Sequence, residues 1–547
     1  MDATVRFDTQ IVGGLPVVVQ YLERLGLGAI LDKTIPWEGE VPLGTLVEIM
    51  VINRLLQPKA LFRIGEWAEK AGLTDYYGVT AHQLNDDRLG RMLERVAAHA
   101  EVAQASVVTR SIKVFKLQVK QIHFDITDVE LYGAYPMELA EGQTAPTPLP
   151  AYGRTKSGRK NVKQIGVGLN VTADGGVPMG HLALDGNVSE SPVHLDNLRL
   201  LARNLGRSDF LYLGDAKLDA TENLLTVAAG GGCFLCGGAF KPHLQEQYLE
   251  LRRRGKLHRV DYFPQSQSQL PPEKRSRYEA AETTETLEGK VDGRQVRVKY
   301  RLIFVWSEIK ARQEAETRQR HMAKIREEFE SVERNLNKYS LKTEKTIVRR
   351  LETAKTKYRE GKAFDYDLSQ DRQGRFRLSW KINPKELRQL EQLQGVFVLK
   401  TNLPVKRCPT VNVLATYKGQ SQVERRFHHL KGPLAVAPMF LEKPERMAGL
   451  MCILVWALTI LALMERQVRR SLKGKPLYGL YPENRPSPAP TGPAILDCFS
   501  TLCIVIIKEH GSVSRRLADP APIHRKLLHL LAIPPDGLRT FKRRCGT

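Results

Sequence analysis

The spacing of apolar residues changes near residue 118, and this change limits the fold more than any other feature of the sequence. Up to about residue 115, apolar residues recur every three or four positions, which predicts helices. Beyond residue 118 they alternate with polar residues in short segments, which predicts strands. The predicted elements are strands at 117–127, 163–171 and 177–184, a helix at 191–205, and a further strand at 210–213.

The order of these elements predicts an α/β fold. Three strands, a helix and a fourth strand, with aspartates at the first and after the fourth, follow the order of a ribonuclease-H-like core, a mixed sheet with flanking helices. Strands at 296–306, 376–382 and 396–400 and a charged helical stretch at 307–362 are predicted further on. The predicted domains are a helical N-terminal domain (1–115), the first part of the core (116–240), a β-rich and helical insertion (241–390), the second part of the core (391–470), and a C-terminal linker and small region of unknown role (471–547).

The balance of charge indicates the class of partner. Lys and Arg number 83 against 60 Asp and Glu, which gives a formal net charge of +23. Such an excess suits a polyanion, because each neutralised phosphate releases condensed counterions. Nucleic acid is the favoured partner, and a membrane surface is the alternative. The seven scattered cysteines indicate a reducing, cytoplasmic compartment rather than a disulfide framework.

One apolar segment leaves a membrane alternative open. Residues 447–464 carry no charge over eighteen positions, which is the lower limit for a bilayer span. Charged pairs flank the segment on both sides, and the N-terminus lacks the basic and apolar pattern of a signal peptide. The favoured interpretation is a buried helix in a large core, with no membrane partner.

Three acidic residues are candidates for metal chemistry. Asp125 lies on the first core strand, Asp215 directly follows the fourth, and Glu424 lies on a predicted helix after Gly419. Phosphodiester cleavage builds negative charge on two oxygens, which two divalent cations held by carboxylates can stabilise. Either aspartate alone is more typical of a cap or a solvated loop. The predicted helix favours metal ligands over caps or solvated loops. Glu424 and Lys431 differ by about 20° around its axis, so an acid and a cation share one face.

The segment 417–431 resembles the signature helix of bacterial insertion-sequence DDE transposases of the cut-and-paste type. That signature has Tyr, Arg, Glu and Lys with two, three and six intervening residues. Tyr417, Gln420, Glu424 and Lys431 meet the spacing, with glutamine in place of arginine. Stretches 123–127, 213–216 and 395–402 resemble the family's flanking motifs. The N-terminal sequence, including residues 53–56 and 84–89, is similar to the helical N-terminal region of one subgroup of the family. The resemblance therefore covers roughly residues 10 to 470.

The resemblance implies a mechanism and a set of site residues. Asp125 would bridge two Mg²⁺ ions, with Mn²⁺ able to substitute, while Asp215 and Glu424 would each hold one. Water would nick the transposon end, and the freed 3′-hydroxyl would attack the other strand or target DNA. The implied DNA-binding residues are Tyr417, Gln420, Lys431 and Trp306, the last stacking a flipped base or serving as a strand-end core residue.

The leading hypothesis is therefore a DNA transposase that cleaves transposon ends and transfers strands. The expected partners are double-stranded DNA (terminal inverted repeats and target) and a second copy of the chain in a synaptic homodimer. The N-terminal domain would read the DNA ends, and the location would be the bacterial cytoplasm, associated with the nucleoid. The alternatives are a catalytically inactive DNA-binding protein of transposase ancestry, a membrane-associated basic protein, or another metal-dependent nuclease on the same core.

Overall fold

The protein is described by a computed structural model that covers residues 6–132, 135, 148–153, 158–159, 161–268, 270–436, 441–509 and 512–534. Much of the predicted loop after the first core strand, Cys545 and the end of the C-terminal region lie outside these described residues. The chain forms two compact units. The first combines Met1–Cys233 with Gly419–Thr547, and the second is Phe234–Lys418.

The fold is mixed α/β. The α-helices among the described residues are α1 (Leu15–Leu25), α2 (Leu27–Thr34), α3 (Leu43–Leu56), α4 (Ile64–Lys70), α5 (Leu73–Tyr77), α6 (Asp86–Ala98), α7 (Ala100–Phe115), α8 (Glu190–Leu205), α9 (Thr221–Ala229), α10 (Pro242–Arg253), α11 (Glu308–Arg334), α12 (Glu344–Thr356), α13 (Pro384–Gln392), α14 (Thr410–Lys418), α15 (Ser421–Lys431), α16 (Pro444–Leu472), α17 (Gly492–Cys498) and α18 (Pro522–Leu530). The strands are β1 (Arg6–Ile11), β2 (Gln121–Leu131), β3 (Ala151–Tyr152), β4 (Lys163–Thr172), β5 (Pro178–Leu184), β6 (Leu211–Gly214), β7 (Cys233–Gly238), β8 (His258–Val260), β9 (Tyr278–Val291), β10 (Arg294–Ser307), β11 (Phe364–Gln370), β12 (Phe376–Ile382), β13 (Val396–Thr401), β14 (Cys503–Glu509) and β15 (Ser512–Leu517).

A mixed sheet forms the centre of the first unit. Strands β5, β4 and β2 pair antiparallel, and β6 joins the other edge of β2 in parallel orientation. The strands predicted at 163–171, 177–184 and 210–213 and the helix at 191–205 are confirmed as β4, β5, β6 and α8. A parallel pair needs a crossover connection, which α8 supplies between β5 and β6.

Helix α16 is the long apolar helix of the first unit. In its most apolar 18-residue window, 94% of the residues are buried inside the protein. It packs closely against α6 at Gly449, where a Cβ atom would lie 2.1 Å from the carbonyl oxygen of Leu93. Only glycine therefore allows this approach. The segment meets the length and composition of a membrane span, but its burial favours the interpretation as a core helix.

The N-terminal helices also belong to the first unit. Helices α3 and α6 pack against α16, and Asn85 caps α6 by accepting a hydrogen bond from the Arg88 amide (2.9 Å). Strand β1 was not expected in a helical region. It pairs with β14, which also pairs with β15, so the N-terminus and the C-terminal region share one small sheet.

The second unit contains an antiparallel sheet in the order β7-β13-β10-β9-β8. The strands predicted at 296–306, 376–382 and 396–400 are confirmed as β10, β12 and β13. The charged helical stretch predicted at 307–362 is confirmed as two helices, since α11 ends at Arg334 and α12 begins at Glu344. Apolar residues of both helices, including Ile325 and Leu351, form a shared core with β11 and β12.

Candidate active site

Strands β2 and β6 carry the first two acids. Their parallel register pairs His123 with Leu213, and continuing it by two residues places Asp125 beside Asp215. Asp215 directly follows β6 and has an extended backbone (φ −74°, ψ −165°). Neighbouring strands lie about 4.8 Å apart, and residues two apart on a strand share a face. The two aspartates therefore lie side by side on the face that carries His123.

The carboxylates of both aspartates contact the nearby backbone. The Asp125 Oδ1 accepts a hydrogen bond from the Ile126 amide at 2.8 Å. The Asp215 Oδ1 accepts one from the Lys217 amide at 2.9 Å, and thereby caps a short 3-10 turn. Both residues are half-buried. These bonds orient the two side chains at the end of β6 while leaving them partly accessible to solvent.

The opposite face of β2 and β6 is closed by α8. The Phe124 ring meets the His194 ring edge-on, with 5.3 Å between centroids, and the Tyr212 hydroxyl lies 3.0 Å from His194 Nδ1. Asn197 Nδ2 donates to the same hydroxyl at 2.8 Å. Burial lowers the pKa of His194 to about 4, so the ring is neutral at physiological pH. This apolar and hydrogen-bonded layer confines the aspartates to the other face.

Helix α15 is fixed to the aspartate face by Gln420, the residue that precedes it. The Gln420 Nε2 donates to the carbonyl oxygen of Phe124 at 2.6 Å, and its Oε1 lies 3.3 Å from His123 Nδ1. Gln121 Nε2 lies 3.1 Å from the other ring nitrogen and donates to it, so Nδ1 carries the proton given to Gln420. Burial lowers the pKa of His123 to about 4, which keeps this ring neutral. Gln420 and His123 together form what we name the β2 clamp.

A second contact between α15 and β2 lies at the other end of the helix. Lys431 Nζ is 4.0 Å from the Asp128 carboxylate. The helix therefore runs beside β2 from the level of Phe124 to that of Asp128. Glu424 follows Gln420 by one turn, about 6 Å along the axis and about 40° around it. Glu424 is solvent-exposed and lies on the helix that these two contacts attach to β2.

A buried ion pair sets the rotation of α15 from its other side. Arg426 donates to the carbonyl oxygens of Gly175 (2.6 Å) and Gly176 (2.8 Å) in the β4–β5 turn, and it pairs with Glu465 of α16. Glu465 also pairs with Arg469. The side chains of Arg426 and Glu465 are 2% and 0% exposed. Separating the two side chains would leave each charge uncompensated in the core. The pair therefore stabilises one orientation of α15.

Two predicted site residues belong to the second unit. Tyr417 lies in α14, which ends at Lys418, whereas α15 begins at Ser421. The helix does not extend back to Tyr417, so α15 carries Glu424 and Lys431, with Gln420 directly before its first residue. Trp306 lies in the sheet of the second unit, where it pairs with Val396 of β13 and Glu279 of β9.

The donors suit a hard divalent cation by type. Asp125, Asp215 and Glu424 supply carboxylate oxygens, which Mg²⁺ prefers. Within the described part of the chain, no group of three or more His, Cys, Asp or Glu side chains is arranged to hold a metal ion. The three acids lie on neighbouring elements of the first unit, and metal coordination would require their side chains to turn toward one another.

The β2 clamp and the Arg426–Glu465 pair were not identified from the sequence. Gln420 was interpreted as a DNA contact, but its side chain is bonded to β2. Glu465 was interpreted as a charge flanking an apolar helix, but it is fully buried. For the buried ion pair, the sequence contained one indication. Glu465 and Arg469 are one helical turn apart at the end of an apolar run, which is the spacing of an ion pair within a helix.

Comparison with known proteins gives limited information. Residues 7–105 match the family model described as a domain of unknown function, DUF4277. No curated protein matches the chain. One solved structure, a cryo-EM structure of the piggyBac transposase synaptic complex with hairpin DNA, is similar at 8% identity and a TM-score of 0.35, over 90% of this chain and 82% of that one. A TM-score at this level does not establish a shared fold.

Proposed function

We propose that this protein is a DDE-type DNA transposase that cleaves DNA at transposon ends and transfers the freed strand into target DNA. The observation that supports the proposal is the pairing of β2, which carries Asp125, with β6, which Asp215 follows, together with the attachment to β2 of α15, which carries Glu424. The order of the sheet supports it. An antiparallel β5-β4-β2 meander followed by a parallel β6 after a helix is the arrangement expected of a ribonuclease-H-like core.

The proposed cofactor is a pair of Mg²⁺ ions, for which Mn²⁺ can substitute. When bound, such a pair stabilises the charge that develops on the attacking and leaving oxygens of a phosphodiester. Asp125 would contact both ions, and Asp215 and Glu424 one each. Their partial exposure supports this role, since the acids must reach both metal and DNA.

Other residues of the chain would orient the DNA. Lys431 lies on the same side of α15 as Glu424, so its ammonium group can hold a phosphate near the scissile bond. Tyr417 and Trp306 are proposed to hydrogen-bond or stack with DNA near the cut. Gln420 is proposed to position α15 rather than to bind DNA directly. The nucleophile would be water in the first step and the 3′-hydroxyl of the cut strand in the second.

The partners follow from the same chemistry. They are double-stranded DNA, both as terminal inverted repeats and as target, and a second copy of the chain that holds the other end. The proposed location is the bacterial cytoplasm, associated with the nucleoid. The net charge of +23 supports a polyanionic partner of this kind.

A plasmid-cleavage assay tests the proposal. The substrate carries the inverted repeats that flank the gene, and the matched control plasmid carries the same repeats with scrambled sequence. We expect nicked and linear products only with the native repeats and only with Mg²⁺ or Mn²⁺. End-specific binding without cleavage under any divalent metal would instead support the alternative, a catalytically inactive DNA-binding protein.

A further inference from the structure

The second unit contains a module with its own hydrophobic core. Helices α11 and α12 and strands β11 and β12 pack around a cluster that includes Phe329, Ile347 and Phe364. At one end of this module, the loop between α11 and α12 is tied to the start of β12. The Asn337 side chain donates to the Phe376 carbonyl oxygen at 2.9 Å and accepts from the Phe376 amide at 2.8 Å. The α11–α12 loop and the β11–β12 turn therefore form one continuous surface.

This surface, which we name the basic tip, concentrates positive charge. Residues 337–342 and 371–377 contain five basic side chains and a single carboxylate. Asp371, the one acid, is used within the turn, where its Oδ1 accepts from the amides of Gln373 (2.9 Å) and Arg375 (3.0 Å). The basic side chains all belong to exposed residues: Lys338, Lys342, Arg372, Arg375 and Arg377. Arg377 also lies 3.7 Å from the Asp371 carboxylate, and none of the five basic residues belongs to the core cluster beneath.

The basic tip also presents an aromatic ring to solvent. Tyr339 is 81% exposed and has a φ of +49°, a left-handed conformation that is unfavourable for a bulky residue. The loop holds it there, because the Asn337 amide donates to the Leu341 carbonyl oxygen (2.8 Å) and the Leu341 amide to that of Lys338 (2.9 Å). Leu341 is buried and anchors the loop. Strain of this kind is concentrated at functional positions.

We propose that the basic tip binds the phosphate backbone of duplex DNA without reading its sequence, as a contact separate from that of Lys431. The inference rests on the proposed function in taking DNA as the polyanion. Arginine and lysine side chains neutralise phosphates, and a tyrosine hydroxyl can donate to a phosphate oxygen. Five cations spread over two tied loops match a repeating anionic backbone better than a single small anion.

The test compares two triple variants of the full chain. The tip variant is Lys338→Gln, Lys342→Gln, Arg375→Gln. The control removes three exposed charges elsewhere in the second unit: Arg253→Gln, Lys256→Gln, Arg259→Gln. Binding to a duplex of random sequence is measured by fluorescence anisotropy across a range of KCl concentrations without divalent metal. Each lost phosphate contact lowers the salt slope by about 0.9, so we expect a decrease of about 2 to 3 for the tip variant and none for the control.

Two further measurements sharpen the test. Tyr339→Ala should weaken binding with the salt slope unchanged, because no charge is removed. Thermal melting of the tip variant should match that of the native chain, since the three side chains are exposed. An unchanged slope in the tip variant, or an equal decrease in both triple variants, overturns the proposal.

Failure of this inference is distinguishable from failure of the proposed function. An unchanged salt slope together with intact Mg²⁺-dependent cleavage overturns the basic tip alone. Absence of duplex binding by the native chain overturns both. Preferential loss of binding to RNA or to anionic vesicles, with duplex binding retained, also contradicts the tip proposal, because it would assign the tip to another partner.

Discussion

Asp125 lies within β2 and Asp215 directly after the parallel strand β6, and their carboxylates accept hydrogen bonds that do not depend on any ligand. Asp125 is bonded to the next amide in the chain, and Asp215 caps a turn. Replacing either carboxylate by an amide keeps an oxygen that can accept these bonds. The charge can therefore be removed at each position with little effect on the fold.

We expect Asp125→Asn, Asp215→Asn and Glu424→Gln each to reduce cleavage of the native-repeat plasmid by at least about 10³-fold, because each removes a charged metal ligand. DNA binding and the melting temperature should remain close to those of the native chain. Glu222→Gln, on the exposed start of α9, is the matched control and should retain full activity. Cleavage at native rates by any of the three variants contradicts the assignment of that residue.

At the scale of elements, helix α15 depends on contacts from two sides. The β2 clamp sets its distance from Asp125, and the Arg426–Glu465 pair sets its rotation. Glu424 itself is exposed and has no comparable support of its own. The position of Glu424 thus depends on residues other than the three acids.

The β2 clamp can be removed by a single substitution. Gln420→Ala removes both bonds to β2, so Glu424 loses its fixed position relative to Asp125. We expect cleavage to fall about 10- to 100-fold and the Mg²⁺ concentration for half-maximal cleavage to rise, as with other residues that orient metal ligands. Gln422→Ala, which removes one bond from α15 to the Ala173 carbonyl oxygen, is the control for general loosening of the helix. Equal Mg²⁺ requirements in the two variants would exclude the clamp as a positioning device.

The buried Arg426–Glu465 pair should contribute to the stability of the fold. Glu465→Gln leaves Arg426 buried without its counter-charge, which should lower the free energy of unfolding by about 3–5 kcal/mol. Glu445→Gln, at the exposed start of the same helix, should change it by less than about 0.5 kcal/mol. Urea denaturation followed by circular dichroism measures both. A Glu465→Gln variant as stable as Glu445→Gln would show that the pair does not fix α15 to α16.

At the scale of the whole molecule, the first unit contains several buried neutral histidines. Burial lowers the pKa of each to about 4, and they lie on four different elements: His123, His181, His194 and His429. In the unfolded chain each pKa returns to about 6.5. Between these values the unfolded chain binds more protons than the folded one, so acid favours unfolding.

We therefore expect the melting temperature to be constant above about pH 6.5 and to fall as the pH drops through about 4. Each buried histidine contributes a loss on the order of 1 kcal/mol per pH unit in this window. Differential scanning calorimetry from pH 8 to pH 4 checks the curve. His123→Gln and His194→Gln should each flatten it, whereas replacing the exposed His258 should not. A melting temperature that rises on acidification contradicts the buried neutral state.

The sequence predicted much of the fold because local periodicity was strong. Strands β4, β5 and β6 and helix α8 lie close to their predicted positions, since each carries the alternation or the helical spacing of its class. Strand β1 was missed because its partner β14 is about 500 residues away and its own residues are mostly exposed. The break between α11 and α12 was missed because dense charge concealed a core built from few apolar residues.

The candidate site was predictable in part. Spacing on a helix related Glu424 to Lys431, and the structure places both on α15, with Lys431 4.0 Å from Asp128 of β2. Spacing could not show that Gln420 binds His123, because that contact joins residues 297 positions apart. It also could not show that Tyr417 belongs to a separate helix.

Cleavage of the protein backbone by bound Fe²⁺ tests directly whether Asp125, Asp215 and Glu424 share a metal site. Fe²⁺ replaces Mg²⁺ at carboxylate sites, and with ascorbate and peroxide it generates radicals that cut the chain beside its ligands. If the three acids share a metal site, we expect cuts near residues 125, 215 and 424 in the native chain. Excess Mg²⁺ and the Asp125→Asn substitution should each suppress these cuts. Cuts confined to other segments, or near only one of the three acids, would contradict a shared metal site.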